Sequence, residues 1–437
     1  MKSMRVSLAA IVALVGLLSG QPAPAHAVPG SIVTEWNLIA VSTLIGLPGP
    51  AGGAPPAAQI HMGMVQGAVY DAVNATEPKH HRPYLLNRRF SARASQEAAV
   101  ATAAYRVLDS IVATVPGLPN RASLQASLLA QYNASVDPIL DTPFKTQGIA
   151  AGNAAADAMI AARLNDGRFG PSQWVPNSAI GHWQPLLTPA GAPILDPTAW
   201  VGAVKPFLMT SSSQFRTAGP LALGSPAYAL EFNEVKALGS ATSATRTADQ
   251  THIALYWQST PVATWNAVAR DLVSDPAYNV GLADSARLFA MQNLSAADAA
   301  INCWNDKYFW DFWRPVNAIR RAAEDGNPAT EADPAWTQLI NAPYPEHPSG
   351  HLCLDGAHLG VMETFFGTDD ISFGVTSIPF PGEIRPFGSF SQALDEIVEA
   401  RMWAGLHFRT GDVQARDLGR NVADYMAANY FQPVGNH

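Results

Sequence analysis

The chain has 437 residues, of which 48% are hydrophobic and 14% are charged, and its formal net charge is −8. This balance excludes an intrinsically disordered protein, because disorder requires low hydrophobicity together with a high net charge. The sequence shows no basic stripe of Lys and Arg, so it does not have the pattern of a nucleic-acid-binding protein.

The first 27 residues have the pattern of an export signal. Lys2 and Arg5 precede the apolar run 6–18, and residues 25–27 read Ala-His-Ala. A basic start, an apolar run and a small-x-small site are typical of a cleaved signal peptide, and the run is shorter than the roughly 18–20 residues of a membrane span. We expect cleavage after the tripeptide, which takes the net charge from −8 to −10. Residues 28–437 would then form a single helical domain, secreted or periplasmic, without a membrane span.

Most of the chain after this leader has the pattern of helices. The stretch up to residue 56 is an exception, because Pro48-Gly49-Pro50 and Gly52-Gly53 predict irregular backbone. Beyond it, apolar residues recur at spacings of three and four, which is typical of helices with a buried face. The predicted helices are 60–74, 91–115, 120–134, 147–164, 227–238, 245–258, 261–274, 283–312, 349–366, 391–406 and 411–430.

A different composition marks residues 168–226. Pro, Gly, Ser and Trp dominate there and helical periodicity is weak. This predicts a long irregular loop that is either functional or wrapped around the core. Alternation typical of strands is scarce, and 371–375 is the best candidate. We therefore predict an all-α fold of one or more helical bundles, with a pocket between facing helices.

The first candidate motif places two cations in an aromatic segment. Lys307 and Arg314 are seven residues apart, which on a helix is two turns and nearly the same face. Pro315 then ends or kinks the helix. Aromatic residues fill the segment between the two cations, so we expect burial and a counter-anion. The alternative is a solvated basic edge of a core helix.

The second candidate motif is His347-Pro348-Ser349-Gly350-His351, at the start of a predicted helix. The unpaired amides of a helix start and the positive end of its dipole favour an anion. Ser349 adds a hydroxyl, Gly350 lets an anion approach the backbone, and His351 is placed beside it. The alternative is a capped helix start with a surface histidine.

The third candidate motif contains Arg401 and His407 on either side of Gly405. A separation of six residues puts the two side chains on different faces of a continuous helix. A break near Gly405, or a long reach by Arg401, would let both point at one site. The alternative is a helix end with a satisfied histidine.

Together, Lys-x6-Arg-Pro, Pro-Ser-Gly-His and Arg-x5-His, in this order, resemble the signature of the vanadium-dependent haloperoxidase and type 2 phosphatidic acid phosphatase superfamily, in its bacterial secreted haloperoxidase-like branch. The resemblance implies a pocket for a tetrahedral oxyanion, either phosphate or its analogue vanadate. In that pocket Lys307, Arg314 and Arg401 would neutralise the charge. The hydroxyl of Ser349 and the amide of Gly350 would bind the equatorial oxygens.

The resemblance also assigns roles to the two histidines. His407 would be the axial ligand of vanadium or the nucleophile toward phosphorus, and His351 would be the acid–base group on the opposite side. Fixed donors stabilise charge without reorganisation, and histidine titrates near working pH, so these roles are chemically consistent.

The third motif departs from the family pattern at two positions. Ala400 stands where the pattern has Ser, and Gly411 stands where it has an Asp four residues after the histidine. The Asp comes one residue later, as Asp412. In the phosphatases that Asp orients the nucleophilic histidine, so its displacement weakens the prediction of phosphohistidine chemistry. A contact between Asp412 and His407 would require the backbone to accommodate the extra residue.

The resemblance favours a haloperoxidase, which oxidises halide with hydrogen peroxide to hypohalous acid and carries vanadate as cofactor. The predicted export, the length of the chain and the segment 61–74 resemble bacterial secreted haloperoxidase-like proteins. His351 would move the proton and Lys307 would polarise the peroxide. The alternative is an exported acid phosphatase that hydrolyses phosphomonoesters through a phosphohistidine, without vanadate. A third hypothesis, an oxyanion-binding module, does not explain the pair His351 and His407.

Several side chains near the motifs have two interpretations. Asp355 and His358 follow His351 on one helix face, as a polar chain behind it or as a satisfied face. Cys303 and Cys353 are either a disulfide or two buried thiols.

Other residues could line the pocket or only pack around it: Tyr344, His347 and Trp403. Five histidines are interpreted as structural or surface residues: His61, His80, His81, His182 and His252. The sequence determines neither the halide nor the oligomeric state, and a homo-oligomer is compatible with it.

Overall fold

The computed structural model describes residues 31–78, 81–172 and 174–434. The predicted export signal lies outside the described residues, so its cleavage and the extent of the mature domain stay predictions. The helices are α1 (Ile32–Ile45), α2 (Pro55–Asn74), α3 (Gln96–Thr114), α4 (Arg121–Val136), α5 (Pro143–Ala162), α6 (Pro226–Leu238), α7 (Ala248–Tyr256), α8 (Pro261–Ser274), α9 (Leu282–Trp310), α10 (Pro315–Arg321), α11 (Gly350–Phe366), α12 (Phe390–Trp403) and α13 (Arg409–Asn429). The strands are β1 (Phe373–Thr376) and β2 (Ile384–Phe387), which pair antiparallel. The predicted all-α fold is confirmed.

Helix α9 is the centre of the bundle. It is 29 residues long and buried on nearly every face from Ser285 to Lys307, as expected for a helix enclosed by others. Helices α2, α11 and α13 pack against it. Small residues allow close approach, since a Cβ built on Gly419 of α13 would lie 2.3 Å from the Cys353 carbonyl oxygen of α11. Helix α11, which begins with the second motif, is therefore in close contact with α13, the helix that follows the third motif.

The helix boundaries follow from local residue chemistry. Pro143, Pro226 and Pro261 each stand at a first helical position, where the missing N–H costs no hydrogen bond. The Ser95 hydroxyl accepts from the Ala98 amide, so α3 begins after residue 95 rather than at the predicted residue 91. Helix α9 ends at Trp310, before the predicted residue 312, because Asp311 adopts a left-handed conformation with φ of 46°.

The prediction of irregular backbone up to residue 56 is wrong for its first part. Helix α1 occupies this stretch, and its side chains Val33, Trp36 and Leu44 are buried. A fully buried aliphatic side chain contributes about 1.5–3 kcal/mol, so packing stabilises α1. The Pro and Gly residues that suggested a loop follow the helix. Two further elements were missed, the short helix α10 and the strand β2, whereas the candidate strand overlaps β1.

The predicted loop 168–226 is irregular apart from one short turn at Ala199–Ala203. A polar stripe on α9 ties it to the core. The carboxylate of Asp298 accepts the Phe207 amide at 2.6 Å, and the Asn302 amide oxygen accepts the Phe215 amide at 2.8 Å. Four residues further, Asp306 accepts the Thr217 amide at 2.8 Å. These bonds satisfy backbone amides that would otherwise be buried without partners, so the loop wraps around the core helix.

In the described part of the chain, none of the helices combines the length and the apolar character needed to cross a bilayer.

Candidate active site

Lys307 lies at the end of α9 and is completely buried. Its ammonium group donates to three carbonyl oxygens of the segment 345–348, two of them at 3.1 and 3.2 Å. The ammonium also lies 5.1 Å from the ring centre of Tyr344 and 5.6 Å from that of Trp304. Burial lowers the pKa of Lys307 to about 8. The alternative of a solvated basic edge is therefore wrong.

Arg314 reaches the same region by a different route from the predicted one. The helix ends before it, and Arg314 caps the start of α10, so the two cations do not share one helix face. The guanidinium donates to the carbonyl oxygens of Tyr344 and Leu406, each at 2.8 Å. It also contacts Nε2 of His407 at 3.2 Å. These bonds hold the guanidinium between the second and third motifs.

The second motif begins helix α11 as predicted, although the proline precedes the cap. Ser349 is the N-cap, and Gly350 is the first helical residue. Among the described residues, the buried Ser349 hydroxyl has no hydrogen-bond partner. A Cβ on Gly350 would lie 2.8 Å from the ring of Trp304, and this close contact explains why a glycine occupies position 350. The motif therefore presents a buried hydroxyl, close to the Asp412 carboxyl group, beside a closely packed backbone.

The third motif is broken at the glycine. Helix α12 ends at Trp403, before the predicted residue 406, and Gly405 has a φ of 72°. A Cβ at this position would also lie 2.4 Å from the Gly239 carbonyl oxygen. The reversal lets Arg401, in the last turn of α12, and His407, between two helices, face one site. Within the described chain the Arg401 Nε has no hydrogen-bond partner.

His407 is held by a residue that the sequence analysis did not select. Its Nδ1 lies 2.9 Å from Oε1 of Glu346, and the same oxygen accepts the Phe408 amide at 3.1 Å. Asp412 does not contact His407, and in the described structure neither of its carboxylate oxygens has a hydrogen-bond partner. The signals that could have found Glu346 are its position beside the second motif and the glycine at 411.

His351 is the most accessible of the proposed site residues, with 10% of its side chain exposed. Its Nε2 lies 3.8 Å from Oδ2 of Asp355, which is longer than a hydrogen bond. The other oxygen of Asp355 accepts Nε1–H of Trp265 at 2.6 Å. Nε2 of His358 is hydrogen-bonded to Oε1 of Gln59 at 2.9 Å. The polar chain behind His351 therefore reaches Asp355 and does not continue to His358.

The charges of the site are unbalanced toward positive. Lys307, Arg314 and Arg401 are all buried. Burial raises the pKa of Glu346 to about 8 and the pKa of Asp412 well above its usual range. A raised pKa favours the neutral form of a carboxyl group, so these two groups compensate the cations less than ordinary carboxylates would. A buried surplus of positive charge requires an anion, and the Ser349 hydroxyl and Arg401 Nε are donors for one.

The histidines of the site favour the neutral form. Burial and the charge of Arg314 lower the pKa of His407 well below its usual value, and burial and Arg401 do the same for His351. A neutral imidazole keeps one nitrogen lone pair, which a ligand, nucleophile or base requires.

The three remaining candidates, Tyr344, His347 and Trp403, pack around the site. The Tyr344 ring packs 5.3 Å from Trp304, centre to centre. Nε2 of His347 lies 3.0 Å from the Thr217 hydroxyl, so it anchors the wrapped loop. Trp403 is half-buried, and its carbonyl accepts from Arg246 at 3.0 Å. These contacts support packing roles for the three residues that had two interpretations.

Both cysteines, which lie in the described part of the chain, are free and buried. The Cys303 thiol points to the Pro348 carbonyl oxygen at 3.8 Å. The alternative of two buried thiols therefore describes the structure.

A surface depression leads toward Arg314. An outer cavity of about 480 Å³ is lined in part by Arg320 and Asn341. It shares Asn317 and Gln338 with a narrow inner cavity of about 10 Å³, which Arg314 also lines. The inner cavity has about the volume that one water molecule needs.

The part of the chain that contains the three motifs is similar to known proteins. Residues 287–436, which contain all three motifs, match the family model described as the vanadium chloroperoxidase second helical-bundle domain. The vanadium chloroperoxidase of Curvularia inaequalis is 30% identical over 145 residues, which cover 27% of this chain and 23% of that protein. The match thus spans less than a quarter of that relative.

Two solved structures share the fold over most of the chain. A bacterial vanadium-dependent iodoperoxidase superposes with a TM-score of 0.73 at 24% identity, covering 93% of this chain and 99% of that one. A holo-type bacterial vanadium-dependent chloroperoxidase gives a TM-score of 0.67 at 17% identity, covering 88% and 93%. Residues 287–436 therefore match the family model, and the chain as a whole shares its helical fold with these two solved structures.

Proposed function

We propose that this chain is an exported, vanadate-dependent haloperoxidase that oxidises halide with hydrogen peroxide to hypohalous acid. The observation that carries the proposal is the meeting of three buried cations with His407, beside two carboxyl groups whose pKa values burial raises. The names of the relatives, a chloroperoxidase and an iodoperoxidase, support the choice of activity.

The residues present fit vanadate. Lys307, Arg314 and Arg401 would neutralise its charge, and the Ser349 hydroxyl and Arg401 Nε are donors with no partner among the described residues. The Gly350 backbone would bind a further oxygen, and Nε2 of His407 would be the protein ligand. When bound, vanadate supplies a Lewis acid that activates hydrogen peroxide without a change in oxidation state.

The chain itself would move the proton and orient the reactants. His351 is neutral near pH 7, because burial and Arg401 lower its pKa, so its imidazole accepts the peroxide proton and returns it to the product. Lys307 keeps most of its charge at that pH, with a pKa of about 8, and polarises the bound peroxide.

One observation favours the phosphatase as the second candidate. His407 is hydrogen-bonded to a carboxyl group, that of Glu346 at 2.9 Å, which is the arrangement that activates a nucleophilic histidine. In this alternative Nε2 of His407 attacks phosphorus, and His351 protonates the leaving alcohol. The same cations would stabilise the charge of the transition state.

Two assays on one preparation of residues 28–437 distinguish the candidates. The first follows bromination of a chromogenic acceptor by hydrogen peroxide after loading with vanadate, and the second follows hydrolysis of an aryl phosphate without vanadate. We expect vanadate-dependent bromination that is lost in His407→Ala and kept in His252→Ala, which removes a half-buried histidine paired with Glu383. Phosphate hydrolysis that vanadate inhibits, without bromination, would replace the proposal with the phosphatase. No activity in either assay would favour the third hypothesis, an oxyanion-binding module.

Export is part of the proposal and has its own test. The protein expressed from its full sequence should be recovered outside the cytoplasm, and its first residue should be Val28. An intact N-terminus in the cytoplasmic fraction would contradict it.

A further inference from the structure

A single acidic side chain contacts the imidazole of His407 in the described structure. It belongs to Glu346, whose Oε1 lies 2.9 Å from Nδ1. The Glu346 side chain is buried, and its backbone amide donates to the Phe312 carbonyl oxygen at 2.9 Å. Oε1 also accepts the Phe408 amide at 3.1 Å. This carboxyl group comes from the segment before α11, not from the helix that follows the histidine.

The neighbours of the imidazole determine which nitrogen carries the proton. Arg314 lies 3.2 Å from Nε2, and a guanidinium can only donate hydrogen bonds. Nε2 is therefore the acceptor, and in a neutral imidazole Nδ1 carries the proton. Nδ1–H then donates to Oε1 of Glu346. The two contacts together select one tautomer, with the Nε2 lone pair on the side of the cations.

Gly411 explains why the carboxyl group can occupy this position. A Cβ built on Gly411 would lie 2.4 Å from Oε1 of Glu346 and 3.1 Å from its carboxyl carbon. A side chain at position 411 and the present Glu346 carboxyl group therefore exclude each other. The glycine and the glutamate form a complementary pair, although 65 positions separate them in the sequence.

We infer that Glu346 is the positioning residue of His407, which holds the Nδ1–H tautomer and presents the Nε2 lone pair to the oxyanion, in the space that an aspartate at position 411 would otherwise fill. The inference rests on the proposed function in one respect, since Nε2 is taken to bind an oxyanion. It holds equally for vanadate and for phosphate. It also assigns Asp412 no role in orienting the histidine.

The test moves the carboxyl side chain from position 346 to position 411. We expect Glu346→Ala to weaken binding of vanadate and of inorganic phosphate by about 10–100-fold, the usual effect of removing the partner of a liganding histidine. The double variant Glu346→Ala with Gly411→Asp should recover most of this loss. Isothermal titration measures both affinities. Glu231→Ala is the matched control, because Glu231 accepts the Thr410 amide at 3.1 Å at the same helix start and, in the described chain, has no contact with His407.

Nitrogen NMR of histidine-labelled protein reads the tautomer directly. The His407 signals are assigned by their loss in His407→Gln. In the unmodified protein we expect Nδ1 to be protonated and Nε2 to be unprotonated, and in Glu346→Ala a mixture of tautomers. The exchanged double variant should return to the single tautomer. A role in stability alone would leave the tautomer unchanged.

Three outcomes would overturn the inference. They are a proton on Nε2 in the unmodified protein, affinities in Glu346→Ala within twofold of the original, and a double variant no better than the single one. The first needs no variant, so it decides even if Glu346→Ala does not fold. If the unmodified protein binds neither vanadate nor phosphate, the proposed function fails, and the tautomer still decides the role of Glu346.

Discussion

The guanidinium of Arg314 donates to Nε2 of His407 at 3.2 Å, the nitrogen that we propose as the ligand of the oxyanion. The arginine therefore marks the position that the oxyanion would take. An incoming oxyanion would bind Nε2 and accept the guanidinium hydrogen bond in its place, so charge neutralisation and ligation would occur at one point.

Arg314→Lys should weaken vanadate binding by about 10–100-fold while the protein stays folded. The three donors of a lysine radiate from a single nitrogen, so they cannot span the Tyr344 carbonyl, the Leu406 carbonyl and the oxyanion as the planar guanidinium does. Losing a hydrogen bond to a charged group costs about 1.5–3 kcal/mol. Isothermal titration with vanadate measures the loss. Arg320→Lys, in the wall of the outer cavity, is the control and should change the affinity less than twofold.

Gly405→Ala should destabilise the protein more than Gly326→Ala. Both glycines have left-handed backbone, with φ of 72° and 74°, so both substitutions incur about 1–2 kcal/mol of conformational strain. A Cβ at 405 would also lie 2.4 Å from the Gly239 carbonyl oxygen, whereas at 326 no atom of the described chain lies within 4 Å. Urea unfolding measures the difference. Equal losses would show that the contact with Gly239 is not tight.

Asp355 should make a contribution to the free energy of unfolding that falls as pH rises from about 4 to 8. Burial raises the pKa of Asp355 to about 8, above its value in the unfolded chain. The folded protein therefore holds a proton that the unfolded chain releases, and this stabilisation is lost as pH rises through the folded pKa. One such proton gives a slope of up to about 1.4 kcal/mol per pH unit.

Asp355→Asn should remove that contribution and keep the acceptor for Trp265. Urea unfolding at a series of pH values measures the slope, which should become less negative. Asp395→Asn is the control, because Asp395 lies on the surface of α12 in an ion pair with Arg416. An unchanged slope in Asp355→Asn would show that this carboxyl group is already ionised in the folded protein.

Two thiols should react under denaturing, non-reducing conditions, and neither should react rapidly in the folded protein. Cys303 and Cys353 are free and completely buried, and burial raises the pKa of the Cys353 thiol. A thiol with a raised pKa is a poor nucleophile because the thiolate is the reactive form. A colorimetric thiol assay with and without denaturant measures both. A count of zero in denaturant would establish a disulfide.

The sequence predicted most helices because their signals are local. Helical spacing, a proline at the first turn and a hydroxyl at the cap all act within a few residues. The same locality explains the errors. Helix α1 was missed because Pro48 and Gly49 follow it closely, and the ends of α9 and α12 moved because Asp311 and Gly405 adopt left-handed backbone.

For the site, the order and spacing of three motifs were enough to predict which cations and histidines matter. The structure brings Lys307, Arg314 and Arg401 to one buried region, and their roles stay predictions. The sequence analysis did not select Glu346, because its partner His407 lies 61 positions away and no spacing rule connects them. Asp412 was the more obvious candidate because it lies close to His407 in the sequence. In the described structure, however, neither of its carboxylate oxygens has a hydrogen-bond partner.

By itself, the sequence of this protein determined its helical class and the resemblance of its motifs to those of a known superfamily, because residue type and short spacing encode these properties. The tertiary structure decided which carboxyl group orients His407, how a left-handed glycine turns Arg401 and His407 to one site, and how α9 holds the wrapped loop. These relationships depend on side chains that come from distant segments of the chain and would occupy the same small volume. Such competition arises only when the core is closely packed.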